Sequence, residues 1–322
     1  MRQHREFQKS YLATLRYLRT HGMDVEGVVD PTSVGSRFGK VIRPTKEILA
    51  DRFCISNPRH RLLESQHRKL NPAFLVANAV WTIGGGHDAA MISSYNSRGR
   101  DFARDQSYFE ASFGIRLFAS GHQLRHVERR LHQDQHTRRA TAVIYTSEDT
   151  VVDRLDVPCA LNLQFFVRNN RLHCLTIMRS QSAAMVMPYD VFLFTLIQEI
   201  LAVRLGLELG PYLHFAGSMH YYCEEAHLVE SLLNERTSTP APMPAMQDAS
   251  DRTLEELVQA EQYIRLAKRA SADMPISLEH FDLDDYWKTF LMPLTTETFG
   301  ELHKNWWNGY NEPHNDAESA EA

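Results

Sequence analysis

The residues best equipped for chemistry lie in the middle of the chain. Cys159 follows Pro158 in DVPCALNLQFFV (156–167). A lone cysteine is usually a small buried hydrophobe, and Cys54, Cys174 and Cys223 are read that way. A thiol that acts as a nucleophile needs positive charge nearby to ionise at neutral pH. Arginines are at hand: Arg138 and Arg139 lie in DQHTRRA (134–140), and Arg179 opens RSQSAAMVMPYD (179–190). Planar, bidentate guanidiniums suit a dianionic group such as a phosphate. Asp190 closes that last stretch at the head of an apolar run, where a carboxylate complements a helix dipole. An ionised carboxylate only accepts hydrogen bonds, whereas an amide also donates. His220 and Tyr222 stand two apart in GSMHYY (217–222), a spacing that turns both to one face of a strand.

These residues need elements to hold them. Phe7, Tyr11, Leu12, Leu15 and Leu18 predict an amphipathic helix over 5–21. Pro72 to Ile83 reads as an apolar helix stopped by Gly84-Gly85-Gly86, and Gln123 to His132 as a helix with a basic outer face. Ala140 to Tyr145, Leu161 to Val167 and Leu172 to Met178 read as strands, the last two joined by a tight turn at Asn169-Asn170. Asp190 to Leu205 is almost wholly apolar and predicts a buried helix, and Pro211 to Ala216 a short strand. Asp30 to Lys40 is turn-rich. The expected organisation is a nucleotide-binding catalytic domain over 1–235, a Pro-rich connector over 236–250 and a helical extension over 251–322. That extension holds a helix near Leu254 to Ala270, the aromatics Tyr286, Trp287, Trp306 and Trp307, and a disordered tail, HNDAESAEA. Helices and strands mixed without regular βαβ alternation predict an α+β fold, a mixed sheet covered by helices.

Composition narrows the classes. A hydrophobic content of 43% is enough for a sizeable core. A formal charge of −5 argues against a nucleic-acid polymer as partner, and no run of apolar residues is long enough to span a membrane. Met1 to Thr20 is too polar for a signal peptide, and four cysteines with no CxxC pair indicate neither a disulfide framework nor a metal site. The expected setting is cytoplasmic.

Five stretches, FGIR (113–116), DQHTRRA, DVPCALNLQFFV, RSQSAAMVMPYD and GSMHYY, resemble the thymidylate synthase and pyrimidine hydroxymethylase family. Its patterns are YGxxW or YGxR, DPxSRR, LPPCHxxxQF, RSxDxxLGxPFN and GDxHxY, and stretches similar to all five stand here in the same order. The resemblance covers roughly 5–233. It implies a family fold that dimerises through its sheet and binds a pyrimidine nucleoside monophosphate. Arg179 and Ser180 would hold the phosphate, with Arg138 and Arg139 reaching across a homodimer and Arg37 as a further candidate. Cys159 would add to C6 of the base, Asp190 and Gln164 would contact the base, and His220 and Tyr222 the sugar. The cofactor implied is 5,10-methylenetetrahydrofolate, near Trp81 and Ser182.

Departures from the pattern fall on chemistry. Asn78 stands where the family has its catalytic glutamate and Phe113 where it has a tyrosine. Ala160 replaces the histidine after the nucleophile, and Ser182 the folate-contacting aspartate. Proton transfers by such groups are each worth a hundredfold or more, so replacements are sought in Tyr95, Asp101, Tyr108 and Glu110. Asp190, where thymidylate synthases have asparagine, resembles the cytidylate and deoxycytidylate hydroxymethylases. The function implied is C5 hydroxymethylation of a cytidine monophosphate, with water rather than hydride ending the reaction. Two alternatives stand beside it: other C5 or C6 chemistry on the same nucleotide, and a nucleotide-binding homologue without catalysis.

Overall fold

The computed structural model describes residues 1–30, 41–96, 103, 107–119, 122–151, 157–236, 238–270 and 276–295. Arg37, Asp101, Trp306, Trp307 and the tail lie outside them. Along the chain run β1 (Arg2–His4), α1 (Phe7–His21), β2 (Met23–Asp30), β3 (Val41–Ile55), α2 (Pro72–Ile83), α3 (Ala89–Tyr95), α4 (Gln123–Gln133) and β4 (Thr141–Val143). There follow β5 (Ala160–Arg168), β6 (Arg171–Ser182), α5 (Met187–Arg204), β7 (Glu208–Tyr222), α6 (Ala226–Asn234), α7 (Asp251–Arg269) and α8 (Asp285–Thr295).

The strands form one mixed sheet in the order β1-β3-β7-β6-β5-β4, with β2 antiparallel to β3. β6 and β7 run parallel with α5 between them in sequence; β3 is antiparallel to β7, and β5 to β6. The β5–β6 turn places Asn169 and Asn170 at φ 52° and 58°, the left-handed pair a two-residue hairpin requires. Asn71 caps α2 by accepting from the Phe74 amide at 3.0 Å, and Pro72 supplies a preset first turn. The buried apolar residues of the helices join those of the sheet in one core, to which Leu257, Tyr286, Trp287 and Phe290 of the C-terminal helices belong. α5 is the spine of this core. Its buried Glu199 takes Arg59 Nε at 2.7 Å on one carboxylate oxygen and the fully buried Arg61 on the other.

A shift in strand alternation sets up the site. On β6 the buried positions are Leu172, Cys174, Thr176 and Met178, and then Gln181; on β7 they alternate through Tyr212, His214 and Ala216, and resume at Met219, His220 and Tyr221. The alternation slips by one residue at Arg179 and at Gly217, which lie side by side. Opposite Gly217, Ala50 of β3 takes φ 55°, and β5 carries its own irregularity between Ala160 and Asn162. A Cβ on Gly217 would lie 3.0 Å from the Arg179 carbonyl oxygen, so this close crossing needs glycine. Bulges re-aim side chains. Here four neighbouring strands are offset at one level, and the candidate site lies along that line.

Candidate active site

Cys159 immediately precedes β5 and is exposed. The Arg179 main-chain N–H donates to the Cys159 carbonyl at 2.8 Å. The Arg179 guanidinium donates through Nε to the Pro158 carbonyl (2.9 Å) and through Nη2 to the Val157 carbonyl (3.1 Å). A guanidinium has five N–H donors, so this clamp on the chain before the thiol does not exhaust it. The cation that a nucleophilic thiol needs thus stands on the neighbouring strand. Cys54 and Cys174 are buried, and burial pushes both thiols up. Cys223 corrects the reading that grouped it with them: it opens the turn after β7 and is exposed.

One strand further on, Ser180 pairs with Ser218 of β7, and Ser182 with His220. Past the slip, Ser180, Ser182, Ser218, His220 and Tyr222 share one side of the sheet. The His220 and Tyr222 rings are 5.4 Å apart, as their spacing predicted. The Arg43 guanidinium lies over the Tyr222 ring, 3.3 Å from its centre. Glu47 of β3 pairs with His220 and accepts a hydrogen bond from Ser218. Sequence reasoning missed Glu47 because it did not recognise β3. Pro44 and the positive-φ Ala50 divide that strand into three short runs.

Asp190 lies in the first turn of α5, one turn before Phe194, on which Phe113 stacks at 5.6 Å. Burial pushes its carboxyl up to about 7, against the pull of a 2.8 Å hydrogen bond donated by Gln181 Nε2. Gln181 is a second residue the sequence did not single out; it is the unassigned position of the RSxS stretch. Asn78 follows Phe74 by one turn on α2, and Phe74 packs edge-on against Tyr189 at 5.2 Å. The α2 face carrying Asn78 is therefore directed at the head of α5. Gly114 lets Phe113 reach there, since a Cβ on it would lie 2.8 Å from the Gly86 backbone. Of the candidate replacements for the missing acid, Tyr95 is spoken for. It is buried and donates to Glu261 of α7 at 2.8 Å. Tyr108 bridges to Asp88 through the backbone and is exposed.

Gln164 is not brought to the base reader. It lies five residues along β5 from Cys159, roughly 16 Å at the rise of an extended strand, and its amide donates to the Arg138 carbonyl at 2.9 Å. Within one chain, the motif shared with Cys159 thus does not bring Gln164 beside Asp190. Arg138 and Arg139 lie beside the same middle part of β5, since the Phe165 amide bonds the Ala140 carbonyl at 2.8 Å. They are exposed and line an open hollow of about 490 Å³ with Arg130, Gln133, Asp134, His136 and Thr137. Within one chain they are roughly 20 Å from Cys159.

Comparison with known proteins identifies the family and the fold. The thymidylate synthase family model matches residues 66–285. A protein of Bacillus phage SP01 named deoxyuridylate hydroxymethyltransferase is 30% identical over 216 residues, which take in 61% of this chain and 56% of that protein. The bifunctional dihydrofolate reductase-thymidylate synthase of Paramecium tetraurelia is 30% identical over 97 residues, 30% of this chain and 20% of that protein. The chain thus spans little more than half of the first relative and a fifth of the second. The solved thermostable thymidylate synthase A of Bacillus subtilis superposes with a TM-score of 0.61 at 17% identity, covering 78% of this chain and 93% of that one. The fold is thymidylate synthase-like, and the chain belongs to the thymidylate synthase family.

Proposed function

We propose that this protein is a one-carbon transferase, a C5 hydroxymethylase of a cytidine monophosphate, working as a homodimer. The observation that carries the reading is the exposed Cys159, whose main chain is held by Arg179, one strand from Ser180 and two from His220. The Cys159 sulfur adds to C6, and the electron pair released makes C5 a nucleophile toward a carbon at the oxidation level of formaldehyde. Loss of the C5 proton, as the new carbon's bond to its carrier breaks and that electron pair leaves with the carrier, would give an exocyclic methylene. Water adds to that carbon as the C6–S bond breaks, and the thiolate departs.

Arg179 and Ser180 hold the phosphate, His220 and Tyr222 the sugar. Asp190 reads the base edge: a carboxyl sharing one proton with cytosine N3 accepts from the exocyclic amino group, a charge-assisted bidentate contact. The distance between Arg138-Arg139 and Cys159 in one chain supports their service to a partner's phosphate. So does the sheet face opposite the core. Phe166, Leu175, Ile177, Leu213 and Phe215 lie there half-buried, outside the core packing. An apolar patch of this kind marks an interface.

The residues expected at the folate do not fit it. Ser182 offers one hydroxyl in place of a carboxylate, and that oxygen is buried without a partner among the described residues. The Trp81 indole N–H is likewise buried, against Gly86. The one-carbon donor is therefore named by chemical class only. A uridine monophosphate is the second reading. A neutral Asp190 presents one donor and one acceptor, as asparagine does, and the phage relative is named for deoxyuridylate. Mass spectrometry after incubation with CMP, dCMP, UMP and dUMP tests all of this, with methylenetetrahydrofolate or formaldehyde as donor. A gain of CH2O on a cytidine nucleotide is expected. The same gain on a uridine nucleotide alone would establish the second reading, and none on any would leave a binding protein.

A further inference from the structure

We propose that Glu47 and Ser218 form a proton-ordering relay that holds His220 in its Nδ1–H tautomer, so that Nε2 meets the nucleotide sugar as a hydrogen-bond acceptor. This rests on the reading of His220 and Tyr222 as the sugar site. The relay spans two adjacent strands. Glu47 of β3 is the cross-strand partner of His220 of β7, and Ser218 lies two residues before His220 on the same side.

The tautomer follows from counting protons. A serine hydroxyl has one proton to donate and lone pairs with which to accept, and a carboxylate can only accept. The Ser218 hydroxyl donates to Glu47 Oε1. Its oxygen then approaches His220 Nδ1 at 3.3 Å with no proton left to give, so Nδ1 must be the donor of that contact. A neutral imidazole carries one N–H, which makes Nε2 the acceptor. A sugar hydroxyl is the complementary group, since it donates to such a nitrogen. His220 is 9% exposed, so its ring has little freedom to swing and recover a wrong tautomer. Glu47 and Ser218 are positioning residues here, acting through His220. No motif of the chain signals them, because GSMHYY shows only a serine and β3 was unread.

The tautomer can be read directly in the full-length, ligand-free protein from two-bond nitrogen–proton correlations of His220. The wild type should show Nδ1–H. Ser218→Ala and Glu47→Ala should each shift His220 toward Nε2–H. Glu47→Gln, whose side-chain oxygen still accepts from Ser218, should keep the wild-type pattern. Calorimetry with CMP should show binding about tenfold weaker in the two alanine variants, the loss of one hydrogen bond. A 3′-O-methyl nucleotide, which cannot donate there, should lose a similar factor on the wild type and nothing more on Ser218→Ala. An Nε2–H tautomer in the wild type, or an unchanged Nδ1–H in both alanine variants, would overturn the relay. The tautomer is read without nucleotide, so a wild type that binds no pyrimidine monophosphate would instead overturn the nucleotide reading and the sugar contact with it.

Discussion

Asp190 offers the sharpest test of how the site recognises a base. Its carboxyl is raised from 3.8 to about 7 by burial. The folded protein therefore holds the Asp190 proton more tightly than the unfolded chain does. The stabilisation is complete below the unfolded value and is lost as pH climbs through the folded one, between about 4 and 7. At 1.36 kcal/mol per pH unit the loss is at most about 4 kcal/mol, and Asp190→Asn should remove that slope from urea unfolding curves. Binding should report the same proton. If the complex holds one proton between the carboxyl and the base, the ligand-free protein must take it up above pH 7. Uptake should approach 0.9 proton per nucleotide at about pH 8, and binding should be about tenfold weaker there than at pH 6. The nucleotide's own phosphate ionises near pH 6 and works the other way, but it does so equally for Asp190→Asn. The decisive quantity is the wild-type to Asp190→Asn affinity ratio across pH 6 to 8.5, by calorimetry in buffers of different ionisation heat. Parallel profiles with equal proton uptake would refute the placement of Asp190 on the base edge.

Four further outcomes are expected. Cytidine monophosphates should bind about tenfold to a hundredfold more tightly than uridine monophosphates, one charge-assisted bidentate contact, and Asp190→Asn should shrink or reverse the preference; equal calorimetric affinities would sink it. Mixed dimers of Arg138→Ala and Cys159→Ala subunits should recover one working site in two, whereas a fully active monomer in sedimentation would remove cross-subunit supply. Glu199→Ala leaves Arg61 buried beside Arg59 with no carboxylate between them, and urea denaturation should show a loss of about 3–5 kcal/mol. Cys159→Ala should abolish turnover yet keep CMP affinity within a few-fold, and a 5-fluoropyrimidine monophosphate should form a mass-detectable adduct on the wild-type thiol alone.

What the sequence revealed of this fold follows the strength of each local signal. Pro72 to Ile83 was legible to the residue, because Asn71, Pro72 and the glycine triplet mark both ends. The Asn169-Asn170 hairpin was equally plain. β7 was read as Pro211 to Ala216 and runs from Glu208 to Tyr222, because the slip at Gly217 breaks the two-residue period that identifies a strand. β3 escaped for the same reason at Ala50. The features that make this sheet a site are thus the ones that hide its strands. The sheet register brings the levels of Cys159, Arg179 and His220 side by side, an adjacency that motif spacing alone does not give. Gln164 shares a motif with Cys159 but lies half a strand further along β5, with its amide on the Arg138 carbonyl.

The altered acid–base residues and the raised Asp190 carboxyl belong to one arrangement. On α2, the face that carries a glutamate in the family presents Asn78 toward the head of α5, and an amide holds no titratable proton. At the position of the family's tyrosine, the Phe113 ring stacks on Phe194, one turn beyond Asp190. Both changes strip polar, proton-bearing groups from the surroundings of Asp190. Desolvation of this kind favours the neutral form of a carboxyl, and burial is the dominant cause of its shift. The proton that a glutamate and a tyrosine would manage is thereby concentrated on the residue proposed to read the base. A proton held at the N3 and C4 edge makes C6 more electrophilic as the thiolate attacks. The same contact that selects the base can then assist the first bond-forming step.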